Sequence, residues 1–207
     1  MIYEIGKHKV RHGDIHEQTE INQLTMGVKA DIFYSDPPWG SGNIKYWDTM
    51  NKKMNGITES TGNFDVDVFL GVVLDNAVKH TNGWVVIEYG KRWVDKVVDM
   101  AKQRGLKYCG QVETLYSGTN VMEIIFFRTD SVQPIDLTGI YHLTGYKCVR
   151  EIFKLLKSKD DGIGMDLCCG MGYTAQACID NGLTFVGNEL NKKRLGKTIN
   201  RLNKSVK

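Results

Sequence analysis

The chain alternates between short apolar runs of strand length and longer stretches with the pattern of amphipathic helices. The apolar runs are 29–34, 83–89, 121–127, 162–168 and 183–186. Most of them are apolar on both faces, which is typical of central parallel strands covered by helices on both sides of a sheet. The helix-like stretches are 65–80, 93–104, 145–157, 174–181 and 191–202. This alternation predicts a doubly wound α/β sandwich.

Two local features refine this prediction. The stretch 145–157 places Val149, Ile152 and Phe153 on one face and basic residues on the other, so it is expected to dock on a sheet. Residues 107–130 depart from the alternation, because two strand-like runs are separated only by residues 117–120. Such a short connection predicts a hairpin that adds an antiparallel strand to the sheet.

The composition is that of one globular domain. The chain has 207 residues, 42% of them hydrophobic and 25% charged, which suits a single core, so we expect one domain over 1–207. No apolar run approaches the roughly 20 residues of a membrane helix, and the N-terminus lacks the apolar segment of a secretion signal. A cytoplasmic protein with no membrane contact is expected. The net charge of +3 permits a polyanionic partner without requiring one.

Neither the cysteines nor the histidines point to a metal site. No two of the five cysteines have the C-x-x-C spacing of zinc sites and redox pairs, so we interpret them as reduced thiols. His8, His12 and His16 recur every four residues, but Gly13 interrupts any helix that would align them. No metal is therefore expected.

The segment Asp36-Pro37-Pro38-Trp39, hereafter the DPPW segment, follows the first apolar run almost directly. Ligands of open α/β sheets bind at the carboxyl ends of strands, so a site is expected at this position. The two prolines have carbonyls but no N–H, and an ionised aspartate only accepts hydrogen bonds. The DPPW segment therefore offers acceptors to a substrate NH2 group.

A site made of acceptors suits methylation of the amine of adenine or cytosine. The lone pair of this amine is delocalised into the ring, and acceptors on its two N–H bonds favour a pyramidal, nucleophilic nitrogen. Asp36 and the Pro37 carbonyl are the expected acceptors, and their hydrogen bonds strengthen as positive charge develops on nitrogen. Trp39 offers a flat face for a base rotated out of its stack. We therefore interpret the DPPW segment as catalytic.

A second motif, residues 166–172 (DLCCGMG), ends an apolar run and precedes a helix-like stretch. Glycines at such a turn let a ligand lie against the backbone. Seventeen residues after Gly172, the predicted strand LTFVGNE (183–189) ends at Glu189, where an acid can bind a ribose diol. The motif lacks the third glycine that dinucleotide enzymes pack near a pyrophosphate. This absence favours S-adenosylmethionine over NAD.

Together these residues resemble the DNA amino-methyltransferases, which modify adenine N6 or cytosine N4, and in particular the permuted group whose catalytic motif precedes the cofactor motif. Four more segments fit, so the resemblance covers most of the chain. Gly13-Asp14-Ile15 is similar to the family's Gly-Asp turn, whose acid faces the cofactor adenine, and residues 142–147 (HLTGYK) are similar to its H-P-T-x-K-P segment. Residues 165–175 (MDLCCGMGYTA) are similar to its D-P-F-x-G-S-G-T-T, and residues 182–202 to its closing G-x-x-F-x-G-x-E helix unit.

The resemblance implies a circularly permuted, Rossmann-like methyltransferase sheet of seven strands, cut between its second and third strands, with the antiparallel hairpin on its C-terminal side. Residues 1–130 would form the catalytic half and residues 131–207 the cofactor-binding half. The cofactor-binding residues implied by the resemblance and by the motifs are Asp14, Ile15, Asp36, Thr144, Lys147, Asp166, Cys168, Gly170, Gly172, Glu189 and Leu190.

The target is less sharply defined by the motifs. An aspartate at the head of the DPPW segment favours adenine N6 in DNA. Cytosine N4, adenine in RNA and a catalytically silent subunit that binds nucleic acid are the alternatives. Only about 17 residues (129–145) separate the last strand of the catalytic half from the next helix, so no separate target-recognition domain is evident. Specificity is expected to be low, or to come from a homodimer or a specificity partner.

The stretch 40–63 is polar, glycine-rich and too long for an ordinary connection, which suggests a functional loop. Its basic residues are interleaved with aromatic residues, as phosphate contact and base stacking require. A lid that makes no base contact is the alternative. Two more basic residues follow the run 83–89 on the same rim. The predicted substrate-binding residues are Lys45, Tyr46, Trp47, Lys52, Lys53, Lys91 and Arg92.

Overall fold

A computed structural model describes residues 1–39, 65–117, 120–141 and 143–206. In this part of the chain one mixed sheet of eight strands, one more than the seven that the resemblance implies, carries helices on both faces. The strands are β1 (Ile2–Ile5), β2 (His8–His12), β3 (Ala30–Ser35), β4 (Thr81–Gly90), β5 (Lys107–Ser117), β6 (Asn120–Arg128), β7 (Ile163–Asp166) and β8 (Thr184–Glu189). The helices are α1 (Gln18–Thr25), α2 (Val66–His80), α3 (Val94–Gln103), α4 (Gly145–Leu156), α5 (Tyr173–Asp180) and α6 (Lys192–Ser205).

The strand order is β1-β2-β8-β7-β3-β4-β6-β5. The five strands from β2 to β4 in this order are parallel to one another, whereas β1 pairs antiparallel with β2, and β6 with both β4 and β5. Each of the five apolar runs overlaps a strand. Strands β5 and β6 form an antiparallel pair over the residues where the sequence predicted a hairpin.

Strands β1 and β2 were not among the predicted apolar runs. Their sequences, IYEI and HKVRH, are short, and the second has only one apolar residue. Pairing fixes them instead, because β2 lies parallel to β8, with Val10 opposite Gly187. The second strand of the chain therefore lies beside the last one, and β1 forms the edge of the sheet.

The sheet separates two hydrophobic layers, as a doubly wound sandwich requires. Ile32 of β3 faces the layer that contains Ile152 of α4, together with residues of α5 and α6. Its neighbour Phe33 faces the layer that contains Leu70 of α2 and Val97 of α3. This alternation along a buried strand explains why its sequence is apolar on both faces. The predicted α/β sandwich is confirmed.

Two helices begin at polar residues that the sequence had placed at helix starts. The side chain of Asp65 accepts hydrogen bonds from the backbone N–H groups of Asp67 and Val68, and caps α2. Asn191 caps α6 in the same way. No helix within the described ranges is long and apolar enough to cross a bilayer.

Candidate active site

The carboxyl ends of the five parallel strands meet at one edge of the sheet, and acidic residues lie there on four neighbouring strands. In sheet order they are Glu189 at the end of β8, Asp166 at the end of β7, Asp36 directly after β3, and Glu88 near the end of β4. The register of β3 with β4 places Asp36 beside Glu88, one position beyond the last paired residues. The two motifs, about 130 residues apart in the sequence, therefore share one edge.

In the DPPW segment, an internal hydrogen bond fixes the aspartate. The indole Nε1 of Trp39 donates to Oδ1 of Asp36 at 3.0 Å. Trp39 also packs against Gly90 at the end of β4, where a Cβ would lie 3.4 Å from the indole Cε3. Trp39 was predicted to stack on a base, and this stays a prediction. Its hydrogen bond also orients the Asp36 carboxylate. The second carboxylate oxygen retains its capacity as an acceptor.

The protonation of Asp36 is set by its surroundings. Enclosure by protein atoms raises the pKa of Asp36 to about 6, against the opposing effects of the Trp39 hydrogen bond and the positive charge of Arg194. The side chain is nevertheless exposed, so contact with water reduces its desolvation. Asp36 is therefore ionised at neutral pH and close to its titration range.

A buried Tyr34–Glu88 pair adjoins Asp36 and was not predicted from the sequence. Tyr34 Oη donates to Glu88 Oε2 at 2.8 Å, and both side chains are buried. Burial, followed by the nearby charge of Asp36, raises the pKa of Glu88 well above its ordinary range. The neutral form of Glu88 is favoured, which spares Asp36 a second negative charge. The acid in the otherwise apolar run GWVVIEY was the signal that could have found this pair.

Asp166 supports the turn that follows β7. Its Oδ1 accepts from the backbone N–H of Cys168 at 3.0 Å, and its Oδ2 accepts from Thr174 Oγ1 at 2.6 Å. Burial raises the pKa of Asp166 to about 7, although both hydrogen bonds favour the ionised form. The carboxyl thus connects the glycine loop, defined as residues 167–172, to the first turn of α5. A direct contact of Asp166 or Cys168 with a cofactor stays a prediction.

The two glycines of this loop adopt backbone conformations that favour glycine. Gly170 has φ of 52° and Gly172 has φ of 82°. A Cβ on Gly170 would meet nothing closer than a carbonyl oxygen 4.0 Å away, so the loop leaves open space there. A Cβ on Gly172 would lie 2.7 Å from Thr198 Oγ1 of α6. One glycine thus opens a recess, and the other lets α6 approach the loop.

This difference between glycines can be tested by stability. Gly172→Ala is expected to lower the free energy of unfolding by about 2 to 4 kcal/mol, because it combines a left-handed backbone with overlap against Thr198. Gly182→Ala is the matched control, since Gly182 has φ of 73° but no atom within 4 Å of the position that a Cβ would occupy. It should cost only about 1 kcal/mol. Urea denaturation measures both, and equal losses would contradict the close approach of α6.

Glu189 joins the glycine loop to the start of α6. Its Oε2 accepts from the backbone N–H of Gly170 at 2.7 Å, and its Oε1 accepts from that of Asn191 at 2.8 Å. The side chain is buried but lies at the end of β8, at the edge where the motifs meet. Glu189 was predicted to bind a ribose diol. The structure shows that it also determines the shape of the loop.

The Gly-Asp turn, residues 13–15, lies next to the end of β8. The backbone N–H of Gly13 donates to the carbonyl of Glu189 at 3.1 Å. Asp14 Oδ1 accepts from the backbone N–H of His16 at 2.9 Å and contacts its Nδ1 at 2.6 Å. Ile15 is buried. The structure thus brings the Gly-Asp turn, the glycine loop and Glu189 together.

The other predicted site residues that the structure describes are exposed or contact residues outside the two motifs. Thr144 and Lys147 are exposed at the start of α4, and Leu190 is exposed after β8. Lys91 forms an ion pair with Glu113 at 2.5 Å. The guanidinium of Arg92 lies 3.8 Å from the ring centre of Trp93. The predicted substrate-binding residues outside the described part of the chain are Lys45, Tyr46, Trp47, Lys52 and Lys53.

Comparison with known proteins finds similarity in structure alone. No protein-family model and no curated protein matches the sequence. The solved structure of M1.HpyAVI in complex with SAM aligns with a TM-score of 0.68 at 16% identity, over 94% of this chain and 98% of that one. TTHA0409 from Thermus thermophilus, described as a putative DNA modification methylase and complexed with S-adenosyl-L-methionine, gives 0.67 at 14% identity, over 96% and 94%.

The cytosine-N4-specific PvuII DNA methyltransferase aligns equally well. Its TM-score is 0.67 at 11% identity, over 96% of this chain and 90% of that one. At these identities the similarity defines the fold. The chain has the α/β fold of S-adenosylmethionine-dependent methyltransferases, and its structural neighbours include DNA methyltransferases.

Proposed function

We propose that this protein is an S-adenosylmethionine-dependent methyltransferase that modifies the exocyclic amine of a DNA base, with adenine N6 as the target. The observation that carries this proposal is the position of the DPPW segment. It follows β3 directly, at the same sheet edge as Glu189 and the glycine loop, which end or follow the neighbouring strands β8 and β7. An acceptor for an amine therefore lies beside the residues proposed to bind the cofactor.

The residues present fit this cofactor. Gly170 leaves open space above the loop, where a side chain would otherwise project. The acidic groups along the edge suit a ligand that carries a sulfonium and an ammonium group. Asp14, Glu189 and the glycine loop would hold the adenosine side of the cofactor. Two of the structural neighbours were solved with S-adenosylmethionine bound, which supports this assignment.

The DPPW segment accounts for the chemistry. S-adenosylmethionine, when bound, supplies a methyl group activated by its sulfonium. Asp36 and the Pro37 carbonyl accept hydrogen bonds from the two N–H groups of the substrate amine, and direct its lone pair. As the nitrogen bonds to the methyl carbon and the C–S bond breaks, positive charge develops on the nitrogen and these hydrogen bonds strengthen. The amine then loses one proton, which ionised Asp36 accepts on the proposed path.

The choice of adenine rests on the aspartate at the head of the DPPW segment. Cytosine N4 is the second candidate, and the similarity to the cytosine-N4-specific PvuII enzyme is the observation that favours it. The chain order, with the DPPW segment before the glycine loop, is proposed to be the permuted order of this family. Lys91 and Arg92 lie just beyond β4 and are proposed to contact the DNA backbone.

One experiment tests both the reaction and the target. The protein is incubated with methyl-labelled S-adenosylmethionine and, separately, with duplex DNA, single-stranded DNA and RNA, and the modified nucleoside is identified after digestion. N6-methyladenine in DNA is the expected product. N4-methylcytosine would correct the target, label in RNA alone would correct the polymer, and no label in any polymer would contradict the proposed activity.

The activity should depend on pH through Asp36. Protonation removes the charge that accepts the amine, so the methyl-transfer rate is expected to fall as the pH drops through about 6, the pKa of Asp36. Trp39→Phe keeps an aromatic ring but removes the N–H donor that stabilises the ionised carboxylate. The pKa of Asp36 should therefore rise in this variant. The acid limb of the single-turnover rate profile should then move to higher pH. An unmoved limb would show that another group is titrating.

A further inference from the structure

A buried arginine lies beneath the Gly-Asp turn, outside the motifs that the sequence analysis singled out. Arg11 on β2 is 2% exposed, which is unusual for a charged side chain. Its direct partner across the parallel β2–β8 pair is Asn188, which is 1% exposed. A buried cation requires compensation by charge and hydrogen bonds. The identity of its partners therefore indicates what it stabilises.

Arg11 binds both the turn and the helix that follows it. Its Nη1 donates to Asn188 Oδ1 at 2.8 Å and to the backbone carbonyl of Asp14 at 3.1 Å. Its Nη2 forms an ion pair with Glu17, and its Nε lies 3.7 Å from Glu20 Oε2. The two glutamates of this N-terminal region balance the charge. Arg11 thus acts as a crosslink inside the protein.

Asn188 extends this crosslink to the other side of the pocket. Its Nδ2 donates to the carbonyl of Gly13 at 3.0 Å and to that of Leu167 at 3.1 Å. Its backbone carbonyl accepts from the N–H of Cys169 at 3.0 Å. One buried asparagine therefore holds the Gly-Asp turn and the first residue of the glycine loop at the same time. Two chain segments more than 150 residues apart are joined through it.

The close approach of the arginine also explains Gly13. A Cβ at this position would overlap the guanidinium of Arg11, so a larger residue would displace the side chain or the turn. The glycine of the Gly-Asp turn is thus required by the arginine beneath it. Arginine, turn and asparagine depend on one another for their positions.

We propose that Arg11 and Asn188 are positioning residues that hold the Gly-Asp turn and the glycine loop at the separation the cofactor requires. This inference rests on the proposed function, since it assigns the pair to the adenosine side of that pocket. Fixing both walls before binding removes the cost of ordering them when the ligand arrives. Loss of the pair should therefore weaken cofactor binding more than it slows methyl transfer once the pocket is filled.

The test compares two variants with a control substitution at another buried position of the sheet. Arg11→Met and Asn188→Ala should each raise the Kd for S-adenosylmethionine, measured by calorimetry, by about tenfold or more, as expected for loss of a buried hydrogen-bonded support. At saturating cofactor the single-turnover rate should stay within about threefold of wild type. Val85→Ala removes buried methyl groups from β4, well before its carboxyl end. It should lower the melting temperature without changing this Kd.

A double variant sharpens the result. If the pair works as a unit, Arg11→Met with Asn188→Ala should raise the Kd little more than the more severe single substitution. Unchanged Kd values in both folded single variants would overturn the proposal and leave the pair a purely structural crosslink. If Arg11→Met does not fold, Asn188→Ala decides alone, because it retains the bond from Arg11 to Asp14. Failure of the wild type to bind the cofactor would instead contradict the proposed function.

Discussion

Replacing Asp36 with alanine is expected to lower the single-turnover rate of methyl transfer by about a hundredfold to a thousandfold. The carboxylate is the charged acceptor for the amine and is most important when nitrogen becomes positive. The Asp36 side chain directly follows β3 and is exposed to water, so its removal leaves no buried cavity. The Kd for S-adenosylmethionine should therefore stay within about threefold of wild type.

Asp36→Asn is the matched control for this experiment. Asparagine has the same shape and keeps one acceptor oxygen, to which Trp39 can still donate, but it lacks the negative charge. Its rate should lie between those of wild type and the alanine variant, and the acid limb near pH 6 should disappear. A large loss of cofactor binding in Asp36→Ala would mean that Asp36 belongs mainly to the cofactor pocket and that its proposed role is wrong.

The second large effect is expected at Glu189, and it is an effect on binding. Glu189→Ala should raise the Kd for S-adenosylmethionine by about a hundredfold. The substitution removes the carboxylate proposed to bind the ribose, and with it two hydrogen bonds that hold the glycine loop and the start of α6. Those bonds link Gly170 and Asn191, so the free energy of unfolding should also fall by about 1 to 3 kcal/mol. Calorimetric titration and urea denaturation measure the two effects separately.

Glu189→Gln separates support of the loop from recognition of the ligand. Glutamine keeps one acceptor oxygen for the backbone N–H groups, so it should recover part of the stability. It accepts hydrogen bonds from a ribose diol less well than a carboxylate does. With cofactor at saturation, both variants should transfer methyl groups within about tenfold of the wild-type rate. If the alanine variant had the same Kd as the wild type, Glu189 would not be a cofactor-binding residue.

The local patterns were sufficient to predict the layered fold. The parallel strands are apolar on both faces because both faces are covered, and this property is visible in the run 29–34 without knowledge of any partner. The caps of α2 and α6 were also predictable, since Asp65 and Asn191 bond to backbone groups only two or three residues away. Strands β1 and β2 were not among the predicted apolar runs, because HKVRH has weak strand character and β2 is placed by its pairing with β8.

Three local features of the sequence were enough to predict the chemistry of the site: an acceptor segment after a buried strand, glycines at a strand-to-helix turn, and an acid at the end of the next strand. Residue type and short spacing contain that information. Only the tertiary structure decided which groups meet across the sheet. The Tyr34–Glu88 pair beside Asp36 and the Arg11–Asn188 pair beneath the Gly-Asp turn join residues 54 and 177 positions apart. No local pattern encodes such contacts, because they arise from strand order and register, which depend on the packing of the whole sheet.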